Sequence, residues 1–245
     1  MIKDIRFAQS VASAASMIGP NAVFLGGGTE INRLGSSVSA DALVSLRTSE
    51  PVISKKGSKI VIPLGTTFQM VVESDIVPEY LRQAALFMGS LQKRSMATIA
   101  GNLYLHRDDS YIAPCLMASG AEVLLDDGTV ASAADYVGSF DGHRQRIIVE
   151  IRVGATEAVA QKRIAVTKES HAVLTGAVCG KKGAVAIKGF GVASVDLGAI
   201  GCEDCVQKAM DKAGLRFVDD IFGSSEYKRY LCRTVLFDLY KEARR

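Results

Sequence analysis

Apolar and polar positions divide the chain into short segments, each bounded by Gly, Pro, Ser or Asp. Residues 7–18 (Phe-Ala-Gln-Ser-Val-Ala-Ser-Ala-Ala-Ser-Met-Ile) predict a helix capped near Ser10 and ended by Gly19-Pro20. A short apolar strand follows from Ala22 to Leu25, and residues 41–46 (Asp-Ala-Leu-Val-Ser-Leu) read as a second. Together they make a small βαβ-like N-terminal lobe. Residues 51–54 and 59–65 alternate around a Lys56-Gly57 turn and predict a hairpin. Thr66-Thr67 is placed to cap a helix over 68–74. Pro78 opens another over 79–88, with Leu81, Ala84, Ala85 and Met88 at helical spacing.

Further along, Thr98-Ile99 leads into a glycine turn at Ala97-Thr-Ile-Ala-Gly-Asn102, and residues 111–118 read as helical. Residues 121–130 predict a hairpin turned by Asp127-Gly128, and 147–153 alternate as a strand. The last third changes character. Three long strands are expected over 162–166, 171–179 and 184–194, the latter two joined by Gly180-Lys-Lys-Gly183. Helices over 205–213 and 224–243 follow, the second with an apolar stripe at Tyr227, Tyr230, Leu231, Val235 and Leu239. Strands followed by helices imply an α+β region with an antiparallel sheet.

Composition narrows the function classes. The 245 residues are 48% hydrophobic, enough for one large core or two modest ones. A net charge of +3 is spread without a basic stripe, which argues against nucleic acid. No apolar run reaches the roughly 18 residues needed to cross a bilayer, and the first residues lack a signal-peptide core. Neither a membrane partner nor export is expected, so the cytoplasm is the default. Five scattered cysteines do not suggest a disulfide framework. Cys202-Glu-Asp-Cys205 has the spacing of a metal or redox pair, but zinc needs four ligands and His106, His143 and His171 stand singly. No metal site is expected, and a solvent-facing turn or helix start is the plainer account of the pair.

The candidate chemistry lies in Val23-Phe-Leu-Gly-Gly-Gly-Thr-Glu-Ile31, where a strand runs straight into three glycines. Without Cβ atoms, such a loop admits close approach of a ligand to the main chain. Its N–H groups can form a nest for an anion such as phosphate. A plain tight turn fits the residues as well. It is not a Walker loop, because Thr29-Glu30 stands where Lys-Ser/Thr is required. Nor is it a dinucleotide fingerprint, whose third glycine is replaced by Ile31. The second glycine segment at 97–102 raises the prospect of two loops facing one pyrophosphate. Lys93-Arg94, just upstream, is either a phosphate neutraliser or a solvated basic turn.

Three motifs carry a resemblance: Leu25-Gly-Gly-Gly-Thr-Glu-Ile31, Gln92-Lys-Arg-Ser-Met-Ala-Thr-Ile-Ala-Gly-Asn102 and Pro114-Cys-Leu-Met-Ala-Ser-Gly-Ala121. In order and spacing they resemble the flavin-binding, medium subunit of the molybdenum hydroxylases, the xanthine dehydrogenase and carbon monoxide dehydrogenase class, over essentially the whole chain. The resemblance implies an α+β fold: a two-lobed FAD-binding domain of the vanillyl-alcohol-oxidase/PCMH type over 1–155 (lobes about 1–50 and 51–155). A smaller α+β domain with an antiparallel sheet follows over 156–245. It implies FAD held by Leu25, Gly26, Gly27, Gly28, Thr29, Glu30 and Ile31 on one side and Thr98, Ile99, Ala100, Gly101 and Asn102 on the other. Arg94 is implied beside the phosphates and Met88 near the flavin ring, although a helix-core methionine is the plainer role for Met88. Partners are implied too: a molybdopterin-binding large subunit, a 2Fe-2S small subunit and NAD or another electron acceptor. This chain would act as an oxidoreductase subunit and relay electrons without catalytic residues of its own.

Two departures stand out. Ala100 replaces a glycine of the family's second loop. Tyr111 occupies the place of a cofactor-contacting aspartate, and a shift of register would bring Asp109 into that role. With no histidine in the glycine loop, the flavin is expected to be non-covalent; His171, before a strand, reads as structural. Two alternatives stay open: an interaction subunit that has lost tight flavin binding, and a stand-alone FAD oxidoreductase of the same fold.

Overall fold

The computed structural model describes residues 2–33, 36, 38–46, 50–139, 146–156, 158–168, 170–198 and 200–244. The chain begins with β1 (Asp4–Ala8), α1 (Val11–Met17), β2 (Ala22–Leu25) and β3 (Ala42–Leu46). These strands form a parallel sheet of order β1-β3-β2. The Ser10 hydroxyl accepts from the Ser13 N–H at 3.1 Å and so starts the helix where its capping chemistry requires. The expected helix over 7–18 is therefore shorter, because Phe7 and Ala8 belong to β1, paired with Ser45 and Leu46. Ala14 and Val44 are fully buried and share a small core with Ala8, Ala22 and Ala42.

The middle of the chain is an antiparallel sheet of five strands: β4 (Ser54–Lys56), β5 (Lys59–Pro63), β6 (Glu122–Leu125), β7 (Val130–Ser132) and β8 (Ile148–Gly154), in the order β4-β5-β8-β6-β7. Among the described residues six short helices pack around it: α2 (Phe68–Glu73), α3 (Glu79–Leu86), α4 (Leu91–Met96), α5 (Ile99–Tyr104), α6 (Ala113–Ala118) and α7 (Ala133–Gly138). Thr67 caps α2 through its hydroxyl, and Gly128 takes φ +84° in the β6–β7 turn, as the sequence implies. The second glycine segment differs from expectation. It is the first turn of α5 rather than a loop, capped by Thr98, and Asn102 is part of the helix. Two main-chain bonds lock it there, Phe68 N–H to Ala97 O and Ile99 N–H to Thr66 O, both 3.0 Å.

The last part is a four-stranded antiparallel meander, β9 (Ala160–Ala165), β10 (Ala172–Cys179), β11 (Lys182–Ile187) and β12 (Gly191–Asp196), followed by α8 (Glu203–Lys212) and α9 (Ser225–Glu242). The single strand expected over 184–194 is two strands, divided at Gly189, whose φ of +84° turns the chain. Helix α9 covers one face of the sheet. A Cβ at Gly176 would meet Val235 Cγ1 at 3.0 Å, so the glycine lets the helix lie close. The inward side of α9 is Lys228, Cys232, Val235, Leu236, Leu239 and Tyr240. Tyr227 and Tyr230, expected inside, are 46% and 55% exposed. Lys228 is buried instead, its ammonium held by Asp220 at 2.6 Å and by the carbonyls of Val218 and Lys188. The other face shares its core with α6 through Ala177 and Ala184. Among the described residues no helix is long and apolar enough to cross a membrane.

Candidate functional site

The two glycine segments meet. A Cβ on Gly27 would lie 1.6 Å from the Met96 carbonyl oxygen and 2.5 Å from its carbon. The first loop therefore rests directly on the backbone where α4 gives way to α5. A Cβ on Gly26 would touch Thr98 Oγ1 at 3.1 Å, and Gly28 takes φ +70°, which favours glycine. On the other side, the Thr98 hydroxyl accepts from the Gly101 N–H at 3.2 Å. A side chain at Gly27 is thus excluded by another stretch of backbone.

Beside this junction opens a cavity of about 590 Å³, within the usual range for small-molecule sites. Gly26, Gly27, Gly28, Thr29, Glu30, Ile31, Thr98, Ala100, Gly101, Asn102 and Asp109 all line it. Three expected residues do not. Leu25 ends β2 behind the loop, and Ile99 is fully buried in the core. Arg94 turns away, its guanidinium bonded to Gln69 Oε1 at 2.9 Å and to the Gly89 carbonyl. Its neighbour Lys93 faces the cavity instead, as does Met88.

Charge in the site is organised around Arg107. It makes a two-pronged pair with Asp109, both contacts at 2.7 Å, and reaches Glu30 at 2.8 Å. Glu30 also holds Arg33 at 2.7 Å. Burial pushes the Asp109 carboxyl up, but the hydrogen bonds and charge of Arg107, with Lys188 and His171, outweigh it and hold Asp109 below its ordinary value. Glu30 is held down in the same way: burial opposes, and Arg33 and Arg107 prevail. His171 Nδ1 lies 2.9 Å from Asp109 Oδ2. Burial lowers the His171 pKa, Asp109 pulls it up, and Lys93, Arg107 and Lys188 push it down again, for a net lowering. The ring is then neutral at pH 7, with its Nδ1–H donated to Asp109. Asp108 points away, to Lys188 Nζ at 2.8 Å and the Gly189 N–H at 2.9 Å, tying the β11–β12 turn to this segment.

Among the described lining residues four cations (Arg33, Lys93, Arg107, Arg146) face two carboxylates, which suits a dianionic ligand. Apolar and aromatic walls come from Phe24, Phe87, Met88, Tyr104 and Tyr111. Tyr111 is buried edge-to-face against Phe87, with the Arg163 guanidinium 5.5 Å from its ring centroid. The fit to FAD is good in kind: a backbone cradle and cations for the pyrophosphate, and flat apolar surfaces for the rings. Sequence reasoning missed Arg33, Arg107 and the wall from Arg146 to Ile148. Arg33 had a local signal, its position three residues after Glu30; Arg146 had none.

Residues 4–155 match the family described as FAD binding domain in molybdopterin dehydrogenase. The chain belongs to that family. Among curated proteins, this FAD-binding chain is 24% identical over 231 residues to the uncharacterised protein YgfM of Escherichia coli K12, covering 90% of this chain and 87% of that protein. Among solved structures, it superimposes on carbon monoxide dehydrogenase from Hydrogenophaga pseudoflava lacking the Mo-pyranopterin moiety of its cofactor. The TM-score is 0.83 at 19% identity, over 99% of this chain and 97% of that one. Quinoline 2-oxidoreductase from Pseudomonas putida 86 gives a TM-score of 0.82 at 18% identity, over 99% and 97%. The fold is thus the α+β architecture of these chains, and FAD is the cofactor in the family's own description.

Proposed function

We propose that this chain is the flavin-carrying, electron-transferring subunit of a molybdopterin-dependent hydroxylase, an oxidoreductase active only together with partner subunits. When bound, FAD supplies the redox chemistry, passing electrons from iron–sulfur clusters on a 2Fe-2S small subunit to NAD or another acceptor, while a molybdopterin-binding large subunit hydroxylates the substrate. The observation that carries the reading is the contact of Gly27 with the Met96 carbonyl, which brings both glycine segments to one cavity.

Within the cavity, Gly26, Gly27, Gly28 and Thr29 present main-chain N–H groups to the pyrophosphate, and the first turn of α5 lies opposite with Ala100, while the Gly101 and Asn102 N–H groups bond the Thr98 hydroxyl and carbonyl. Arg33, Lys93 and Arg107 offset its charge. Glu30 and Asp109 hold the arginines in place and keep the local excess of positive charge modest. Binding is read as non-covalent, since the glycine loop holds no histidine and no cysteine is among the described lining residues. Residues 1–155 form the FAD-binding part and 156–245 the C-terminal part, a division supported by the family match ending at residue 155. Composition supports a cytoplasmic location.

The test has two levels. Purified chain given FAD and desalted retains flavin; a colourless product removes the cofactor from this reading. Mixed with candidate molybdopterin-binding and 2Fe-2S subunits, it co-elutes with them in size exclusion; separate elution removes the partners. A second reading, an interaction subunit with lost flavin affinity, draws on Tyr111 and on the engagement of Asp109 by Arg107 and His171. It predicts co-elution without colour.

A further inference from the structure

Cys202 and Cys205 lie away from the cavity, at the start of α8. Cys202 occupies the N-cap with extended backbone (φ −152°, ψ 168°) and makes no capping bond with its side chain. Ser, Thr, Asp or Asn is the usual choice there, because an oxygen can accept from the first turn. The thiol turns instead to Cys205, with Sγ–Sγ 3.1 Å. The spacing explains the meeting: the first helical turn folds the Cys205 N–H back to the Cys202 carbonyl at 3.2 Å and stacks the two side chains.

Of the other three cysteines, Cys179 is half-buried on β10, and two provide the contrast. Cys115 and Cys232 are buried, and burial pushes both thiols up to about 12, which leaves them protonated and unreactive. Cys202 is exposed and Cys205 half-buried. The Cys205 thiol is shifted downward, first by the hydrogen bond from Cys202 and then by main-chain hydrogen bonds at Gly201 and Cys202. Among the described residues no third ligand joins the pair to make a metal site.

We propose that Cys202 and Cys205 are a thiol–disulfide redox pair, oxidised to an intramolecular disulfide by a low-molecular-weight disulfide. The Cys205 thiolate attacks one sulfur of the small disulfide, breaks its S–S bond and releases one small thiolate. Cys202, deprotonated, then attacks the Cys205 sulfur of the mixed disulfide and expels the second. Two protein thiols lose two protons and two electrons, and the small disulfide takes them up and leaves as two thiols. Bond formation asks for a shift of about 1 Å at a solvent-facing turn. The product clamps the first turn of α8. The pair stands on its own geometry, independent of the flavin reading.

The experiment uses the full chain, reduced, desalted and equilibrated across ratios of glutathione to glutathione disulfide. It is then quenched with N-ethylmaleimide under denaturing conditions and mapped by mass spectrometry. The expected result is that Cys202 and Cys205 lose alkylation together and appear as one cross-linked segment, while Cys115 and Cys232 remain alkylated. Cys202→Ser puts a good capping residue at the helix start and removes the resolving thiol, so Cys205 then accumulates a glutathione mixed disulfide that dithiothreitol reverses. Alkylation of both cysteines at every ratio overturns the proposal. So does a persistent mixed disulfide in the unsubstituted chain, or formation of the same cross-linked species by Cys202→Ser.

Discussion

Gly27→Ala isolates the contact on which the cradle depends. The added methyl would sit 1.6 Å from the Met96 carbonyl oxygen, and the obstacle is main chain, so no rotamer relieves it. Gly27 does not have a left-handed φ, so the substitution carries no conformational penalty of the kind Gly28 would suffer. Regaining ordinary contact at 3.4 Å requires the loop and the α4–α5 junction to part by about 2 Å. Overpacking of this kind costs typically about 1–3 kcal/mol, and backbone on both sides puts it at the upper end. About 3 kcal/mol expressed at the site corresponds to roughly hundredfold weaker FAD binding. The assay is titration of the flavin-free chain with FAD, followed by flavin fluorescence, beside a thermal melt. Gly138→Ala serves as control, because nothing lies within 4 Å of its Cβ and it is remote from the cavity. A Gly27→Ala chain that binds FAD as tightly as the parent, with an unchanged Tm, would refute the two-segment cradle.

Three further expectations follow from the charged network and the departures. Arg107→Met leaves Asp109, 3% exposed, with His171 and Lys188 as its ionic partners among the described residues. Breaking such a pair costs about 3 kcal/mol, visible as a lower Tm and weaker FAD binding; an unchanged melt would show that the network carries no weight. Acid should unfold the chain through the same groups. Asp109 and Glu30 titrate below their ordinary values, so their stabilisation is full above about pH 4–5 and is lost as pH falls through the lower folded values. Denaturant unfolding between pH 7 and 3 should fall less steeply in Arg107→Met than in the parent, and parallel profiles would count against the linkage. Ala100→Gly should change FAD affinity less than about threefold while lowering Tm slightly, because a helical Ala100 needs no positive φ and glycine costs about 0.5–1 kcal/mol in a helix. A large gain in affinity would mean that the methyl obstructs the phosphates.

Much of the local structure was legible because it is local. Ser10 and Thr67 each cap a helix with their own hydroxyl, and Ala22–Leu25 is apolar enough to be a strand on sight. Strand β1 was missed although Asp4-Ile-Arg-Phe7 alternates, because Phe7 and Ala8 read as the start of the helix that follows and only Ala8 is buried along the strand. Its pairing with β3, Asp4 opposite Ala42, is long-range. The segment 97–102 contains Gly and Asn, poor helix formers, and reads as a turn. Main-chain bonds to Thr66 and Phe68 make it a helix instead. In α9 the expected apolar stripe holds at Val235 and Leu239, which are buried, but fails at Tyr227 and Tyr230, since Asp220 and two carbonyls draw Lys228 inside and leave the tyrosines in solvent. At the site, the glycines were found from their own pattern. The cationic wall was not, because Arg107 and Arg146 come from distant segments and meet the glycine loop only in the folded chain.

The measurement closest to the central claim is the visible absorption spectrum of the purified chain after FAD addition and desalting. Binding between the two glycine segments predicts that both bands of oxidised flavin survive, at one flavin per chain, and vanish in Gly27→Asp, which adds a charge as well as a clash. A folded chain that comes off the column colourless, or a Gly27→Asp chain that stays yellow, would contradict it.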